Sequence, residues 1–137
     1  MTTSNSKSSK FVYAIGRRKS ASARVRLFSG HGDNQVNGKR AEEIFSGKVL
    51  VTKLFEPLTI TDSLKNYYFT AKIIGGGVMS QLDALRLGIS RALVKENDNF
   101  KIILRKHDLL TRDPRERERR KVGNSGKARR QKSSPKR

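Results

Sequence analysis

Three groups of residues in this 137-residue chain have types and spacing that could do chemistry. The first is the cationic run 112–137. It holds twelve Lys/Arg (Arg112, Arg115, Arg117, Arg119, Arg120, Lys121, Lys127, Arg129, Arg130, Lys132, Lys136, Arg137) against Asp113, Glu116 and Glu118, a net of +9. From Lys121 onward there are seven basic residues and no acid. Ammonium and guanidinium groups at this density neutralise a polyanion, and nucleic acid is the commonest one in a cell; a solvated solubility tail is the plainer alternative. The second group is Arg17, Arg18 and Lys19 followed by Arg24 and Arg26, which alternate with Val25 and Leu27. Alternation at period two puts both arginines on the open face of a half-buried strand, beside a basic turn. Ordinary surface strands mix Thr, Lys and Glu, so two guanidinium groups here read as an RNA-facing surface, with a solvated face as the other possibility. The third group is Gly75-Gly76-Gly77, between a strand-like and a helix-like segment.

The glycine run does not fit the phosphate-loop pattern, which argues against an NTP-cleaving site. GGGVMSQ has no Lys-Ser/Thr pair to reach terminal phosphates or hold Mg²⁺. Two readings stay open: a tight turn that only glycine can make, or a place where an RNA backbone comes close, with Gln81 donating to it. No catalytic constellation is found. His31 and His107 are isolated in polar surroundings, Glu42-Glu43 read as a helix start, and the six Ser/Thr among the first ten residues are the composition of a disordered segment. With no cysteine there is no disulfide framework, thiolate metal site or Cys nucleophile. No metal, cofactor or enzymatic activity is expected.

The elements that must position these residues are short. The formal net charge is +19, of which residues 1–111 carry +10, so the body is basic in its own right. About a third of the chain is hydrophobic, enough for one sheet and a few helices. FVYAI (11–15) reads as a strand, GRRKSAS (16–22) as a polar turn and ARVRLF (23–28) as the return strand. Residues 29–34 form a loop, Gln35-Val36 a short strand, and Asn37-Gly38 is the strongest turn signal in the chain. AEEIF (41–45) is a short helix stopped near Gly47. KVLVTKLF (48–55) leans to helix and ends at Pro57, and LTIT (58–61) is too short to assign alone. NYYFTAKII (66–74) is the clearest strand, with Tyr67, Tyr68 and Phe69 read as core in preference to base-stacking groups. Val78, Leu82, Leu85, Ile89 and Leu93 mark one face of a helix over 78–97, with Arg86 and Arg91 off that face. Residues 98–108 fit a second helix, capped by Asp98 or Asn99, with Phe100, Ile103 and Leu104 as its stripe. After Leu110 periodicity ends. The organisation expected is a disordered start (1–10), a globular body (11–110) and an extended basic tail (111–137) that nucleic acid orders. No membrane span is present, and the first ten residues lack the apolar centre of a signal peptide.

Several segments resemble one family, the ninth protein of the small ribosomal subunit in its bacterial-type form. YAIGRRKSASARVRLF (13–28) is similar to its opening hairpin. GGG at 75–77, with Gln81, Arg86-Leu87-Gly88 and Ser90-Arg91-Ala92-Leu93, resembles its glycine turn and following helix. LLTRDPRERERRKVG (109–123), KARR (127–130) and the final Lys-Arg resemble its exit into the tail and its terminus. The resemblance implies an α/β (α+β) body: a mostly antiparallel sheet with helices on one face and a βαβ crossover. It further implies a non-catalytic, ribosome-bound cytoplasmic protein without homo-oligomers. Its partners would be small-subunit ribosomal RNA, neighbouring proteins of the subunit head and peptidyl-site transfer RNA. On that reading the rRNA-binding residues are Arg17, Arg18, Lys19, Arg24, Arg26, Gly75, Gly76, Gly77, Gln81, Arg86, Arg91, Arg112, Arg115, Arg117, Arg119, Arg120, Lys121 and Lys127. Arg129, Arg130, Lys136 and Arg137 would approach the anticodon stem-loop. An extended chain at ~3.3 Å per residue lets 15 residues reach roughly 50 Å between RNA helices. One departure is clear: where the family usually shows Pro-Gln-aromatic-Ser before the last Lys-Arg, residues 131–135 are Gln-Lys-Ser-Ser-Pro, with no aromatic. On charge alone a DNA-compacting protein competes with this reading, as does, more remotely, an enzyme using the glycine turn.

Overall fold

The computed structural model describes residues 10–121. β1 (Phe11–Arg18) and β2 (Ala21–Ser29) form an antiparallel hairpin paired from Phe11↔Phe28 to Arg18↔Ala21. The turn is therefore only Lys19-Ser20, with Lys19 at φ 52°. This corrects the wider basic turn read from 16–22: Arg17 and Arg18 continue the strand, so their side chains point to opposite faces of the sheet. β3 (Gln35–Val36) and β4 (Lys39–Arg40) form a second, minimal hairpin. Its Asn37-Gly38 turn has both residues at positive φ, 53° and 82°, the geometry for which this dipeptide is favoured. The Asn37 side chain then continues the pairing, accepting the Ile73 N–H at 2.8 Å and donating to its carbonyl at 3.2 Å.

α1 (Ala41–Ile44) and α2 (Lys48–Ile60) follow, then β5 (Tyr67–Ile74), α3 (Val78–Glu96) and α4 (Phe100–Lys106). The sheet order is β1-β2-β5-β3-β4, and among the described residues only β3 and β5 run parallel. The passage from β3 through α1 and α2 to β5 is thus the βαβ crossover, in an otherwise antiparallel sheet. Ala14, Ala23, Val25, Leu27, Phe69, Ala71 and Ile73 turn to one face, where Leu54 and Leu58 of α2 and Leu82, Leu85, Ile89 and Leu93 of α3 cover them. Burying each large side chain contributes ~1.5–3 kcal/mol, so this single layer of contacts is the fold's main stabilising term.

Three expectations about the helices are corrected. Pro57 does not end its element: α2 runs through it to Ile60. A proline removes one helical N–H, here the donor to Lys53, whose exposed position leaves that carbonyl to solvent. Leu54 and Leu58, fully buried on either side, hold the helix on course, and the Thr61 hydroxyl closes its end by donating to the Pro57 carbonyl at 2.8 Å. Val78 is not part of the core face of α3, being 51% exposed, because it sits at the helix start beyond the edge of the sheet layer. In α4 only Leu104 is buried and Ile103 is exposed, since seven residues give too few turns to carry a full stripe. Neither Asp98 nor Asn99 caps α4 through its side chain; the Asn97 carboxamide accepts the Asn99 N–H at 3.0 Å instead. No helix among the described residues is long and apolar enough to cross a membrane.

The backbones of β1 and α3 come close together at two glycines. A Cβ at Gly16 would lie 1.8 Å from the Ala84 carbonyl oxygen and 2.4 Å from the Gly88 nitrogen, and one at Gly88 would lie 2.6 Å from the Val25 side chain. Backbone cannot yield as a side chain can, so Gly16→Ala must push α3 off the sheet. Overpacking of this kind costs roughly 1–3 kcal/mol or more. Gly77 has open space around its missing Cβ, so Gly77→Ala meets no clash and should cost no more than about 1 kcal/mol, the difference between glycine and alanine as the N-cap of α3. Urea unfolding of the two variants checks this; equal midpoints would contradict the packing.

Candidate nucleic-acid interface

Because strand residues alternate, the face of the sheet away from the helices collects every second side chain of β1, β2 and β5. Cross-strand register sets them in rows: Ile15, Arg24 and Lys72; Tyr13, Arg26 and Thr70; Phe11, Phe28 and Tyr68. Arg17, Arg24, Arg26 and Lys72 are exposed, and none of them forms an ion pair among the described residues. The Arg26 guanidinium lies over the Phe11 ring, 5.1 Å from its centroid, a cation–π contact. Phe28 and Tyr68 stack at 5.1 Å with planes 12° apart. Phe69 is core and Tyr67 packs against the core, as expected, whereas Tyr68 is corrected to the open face, because it alternates with Thr70 and Lys72.

The other arginines of the body read from the sequence, Arg18, Arg86 and Arg91, are engaged within the protein. β1 is the end strand of the sheet. Arg91 donates to the Ile15 carbonyl and Lys95 to the Tyr13 carbonyl, both at 2.8 Å, so α3 blunts the strand's free edge. Arg86 joins α2 to α3 through Glu56, and Asp83 lies 3.7 Å away on its own helix. Arg18, on the helix side of the sheet, is 13% exposed in its side chain. It donates to the Arg115 carbonyl at 2.6 Å, and its guanidinium lies 3.4 Å from the Asp113 carboxylate and 3.7 Å from Asp83. The Asp113 carboxylate in turn accepts from the Arg115 side chain at 2.7–3.0 Å and from the Arg115 N–H at 2.9 Å. The first residues of the basic tail are thereby tied to the end of the hairpin. Their sequence separation of 95–97 residues leaves no local signal for the pairing.

For Gly75 and Gly76 the geometry favours the tight-turn reading. They sit at φ 80° and 71°, and a Cβ on them would lie 2.6 Å from the Ser20 carbonyl oxygen and 2.9 Å from the Ala21 Cβ. This turn packs against the hairpin tip. Gln81 spends one N–H on the Gly75 carbonyl at 3.2 Å, bracing the turn. Of these three glycines, Gly77 alone has free space in front of it. Lys19, Arg117, Arg119, Arg120 and Lys121 are exposed and Arg112 is half-buried. Lys127, Arg129, Arg130, Lys136 and Arg137 lie outside the described residues. Two open-face groups were missed, Tyr13 and Lys72. Alternation in 66–74 marks Lys72 as outward, but its neighbour Arg24 follows only from the pairing of β2 with β5, which no local pattern shows.

Asp113 is held well below the usual carboxylate range, first by hydrogen bonding from the Arg115 side chain, then by the Arg115 N–H and the nearby charges of Arg115 and Arg18. A depressed folded value means its contribution is complete above the unfolded value of ~3.9 and lost only as pH falls through the lowered one. Backbone order over residues 112–116 should therefore survive acidification from neutral to about pH 4. Arg18→Ala should loosen the same residues at neutral pH while the body stays folded. ¹⁵N relaxation checks both; unchanged order in Arg18→Ala would remove Arg18 as the anchor.

Comparison with known proteins bears on this arrangement. The family described as ribosomal protein S9/S16 matches residues 16–137. A small ribosomal subunit protein uS9 from Methylacidiphilum infernorum is 44% identical over 115 residues, covering 84% of this chain and 85% of that protein. One from Maridesulfovibrio salexigens is 44% identical over 119 residues, covering 87% and 92%, and one from Ureaplasma parvum is 43% identical over 109, covering 80% and 82%. The chain belongs to the ribosomal protein S9/S16 family, whose members are structural, non-enzymatic constituents of the small ribosomal subunit.

Proposed function

We propose that this protein binds small-subunit ribosomal RNA in the head of the ribosome, in the cytoplasm beside neighbouring ribosomal proteins, and sends its tail towards the anticodon stem-loop of peptidyl-site transfer RNA. The observation that carries the reading is the separation of its cations into two populations. Arg18, Arg86, Arg91 and Lys95 are paired within the body. Arg17, Arg24, Arg26 and Lys72 on the open face have no acidic partner among the described residues, and twelve Lys/Arg line 112–137. Cations left unpaired in this way suit phosphate oxygens, which position a protein on RNA without specifying sequence. The tail's anchored root adds to this: residues 113–115 leave the body in one direction, so less chain has to be ordered when RNA binds. A tail of phosphate contacts suits a partner site that must accept every transfer RNA.

Two outcomes are expected. Replacing Arg17, Arg24 and Arg26 by Ala should lower the magnitude of the salt slope for small-subunit RNA by roughly 0.7–0.9 per lost phosphate contact. An unchanged slope and affinity would take the hairpin out of the interface. Deleting Lys136 and Arg137 should leave 30S assembly intact and weaken peptidyl-site binding similarly for different transfer RNAs. The loss should be roughly 0.5–1.5 kcal/mol per contact. Filter binding of deacylated transfer RNAs to truncated 30S subunits measures it. Unchanged binding with failed assembly would make the tail an assembly strut.

A further inference from the structure

The open face of the sheet contains a shallow groove of about 380 Å³ lined by Tyr13, Arg24, Arg26, Thr70 and Lys72. Its composition is unusual for a surface that only water covers. Arg24 and Lys72 are directly opposed across β2 and β5. Strands lie ~4.8 Å apart, and like charges set opposite one another destabilise a sheet. Arg26 stands one alternation away, ~6.8 Å along the strand, and the three strands present no acid on this face. An anion between these groups turns the repulsion into attraction.

The aromatic in the groove points to what kind of anion. Among the open-face aromatics, Phe28 and Tyr68 stack on each other, Gly32 lies against the Tyr68 ring, and Phe11 has Arg26 over its face. Tyr13 is 39% exposed and belongs to no aromatic pair among the described residues. Its backbone is fixed by Lys95, which donates to its carbonyl. A partly exposed phenol ring on a tethered backbone, beside three cations, can offer a π-surface together with phosphate partners. A duplex would use only the cations, because its bases are already stacked on each other; an unpaired nucleotide uses both. We propose that this groove takes unpaired nucleotides of the small-subunit RNA, a base stacking on Tyr13 and the flanking phosphates meeting Arg24, Arg26 and Lys72. The proposal rests on the RNA-binding reading above and adds to it the class of RNA and the residue that selects it.

The test uses the full chain and two probes, a single-stranded hexa-adenylate and a short RNA duplex, each titrated at two salt concentrations. Urea unfolding confirms that the variants fold. Tyr13→Leu should weaken hexa-adenylate binding at least about fivefold, most visibly at the higher salt, where phosphate contacts fade and stacking does not. It should leave duplex binding within twofold, and Tyr13→Phe should bind both probes as the parent does. Equal losses for the two probes, or no loss for either, overturn the stacking site. The double variant Arg24→Ala/Lys72→Ala separates that failure from failure of the RNA reading. If it lowers the salt slope while Tyr13→Leu is silent, the face binds phosphates without stacking. If neither variant changes binding, this face contacts no RNA and a protein partner is the better occupant.

Discussion

At Gly16 the backbone of β1 lies against the backbone of α3, with no Cβ from either Gly16 or Gly88 between them, and most of the charge arrangement follows from that approach. Only because the helix comes this close can Arg91 and Lys95 reach carbonyls of the end strand and cover its free edge. The same placement sets Asp83 beside Arg18, the last residue of β1, so that the hairpin end, the helix and the start of the tail meet at one point. A glycine inside a helix costs ~1 kcal/mol relative to alanine. At position 88 that cost is offset by the packing of Val25 and Gly16 in the space it leaves.

Helices on one face of a sheet leave the other face to something else. Here the covered face takes the apolar residues and the paired charges. The open face takes cations that repel one another and aromatics that are partly uncovered. Such a face is held at a cost in the isolated protein. The cost is small enough for the core to bear, and it becomes a gain when phosphates arrive, which is consistent with a constituent of a ribonucleoprotein. The anchored tail works in the same sense: Asp113, one of only three acids in the tail, serves to fix the root through Arg115 and Arg18.

Much of this was legible in the residues. Period-two alternation exposed the arginine face of β2, Asn37-Gly38 announced the minor hairpin, and Leu82, Leu85, Ile89 and Leu93 traced the buried side of α3. The mostly antiparallel sheet and its crossover came from family resemblance and not from any pattern in the chain. What stayed hidden was long-range. That Arg18, Arg86 and Arg91 bind protein groups depends on which elements pack together, and Lys72 gains its meaning from a strand some 48 residues earlier. Pro57 misled because a local rule about helix breaking was overridden by buried leucines flanking it, Leu54 before and Leu58 after.

The central claim is that the open face of the sheet meets ribosomal RNA. The chain has no cysteine, so a single introduced one is a unique attachment point. Gln35, exposed on β3 and level with Thr70 in the register, stands at the rim of the groove, and Thr52 is exposed on α2 across the body. Iron tethered at Gln35→Cys in assembled 30S particles should cleave a confined stretch of head RNA strongly, and more so than iron at Thr52→Cys. Absence of cleavage from position 35 beside strong cleavage from position 52 would place the RNA on the helical face and contradict the account.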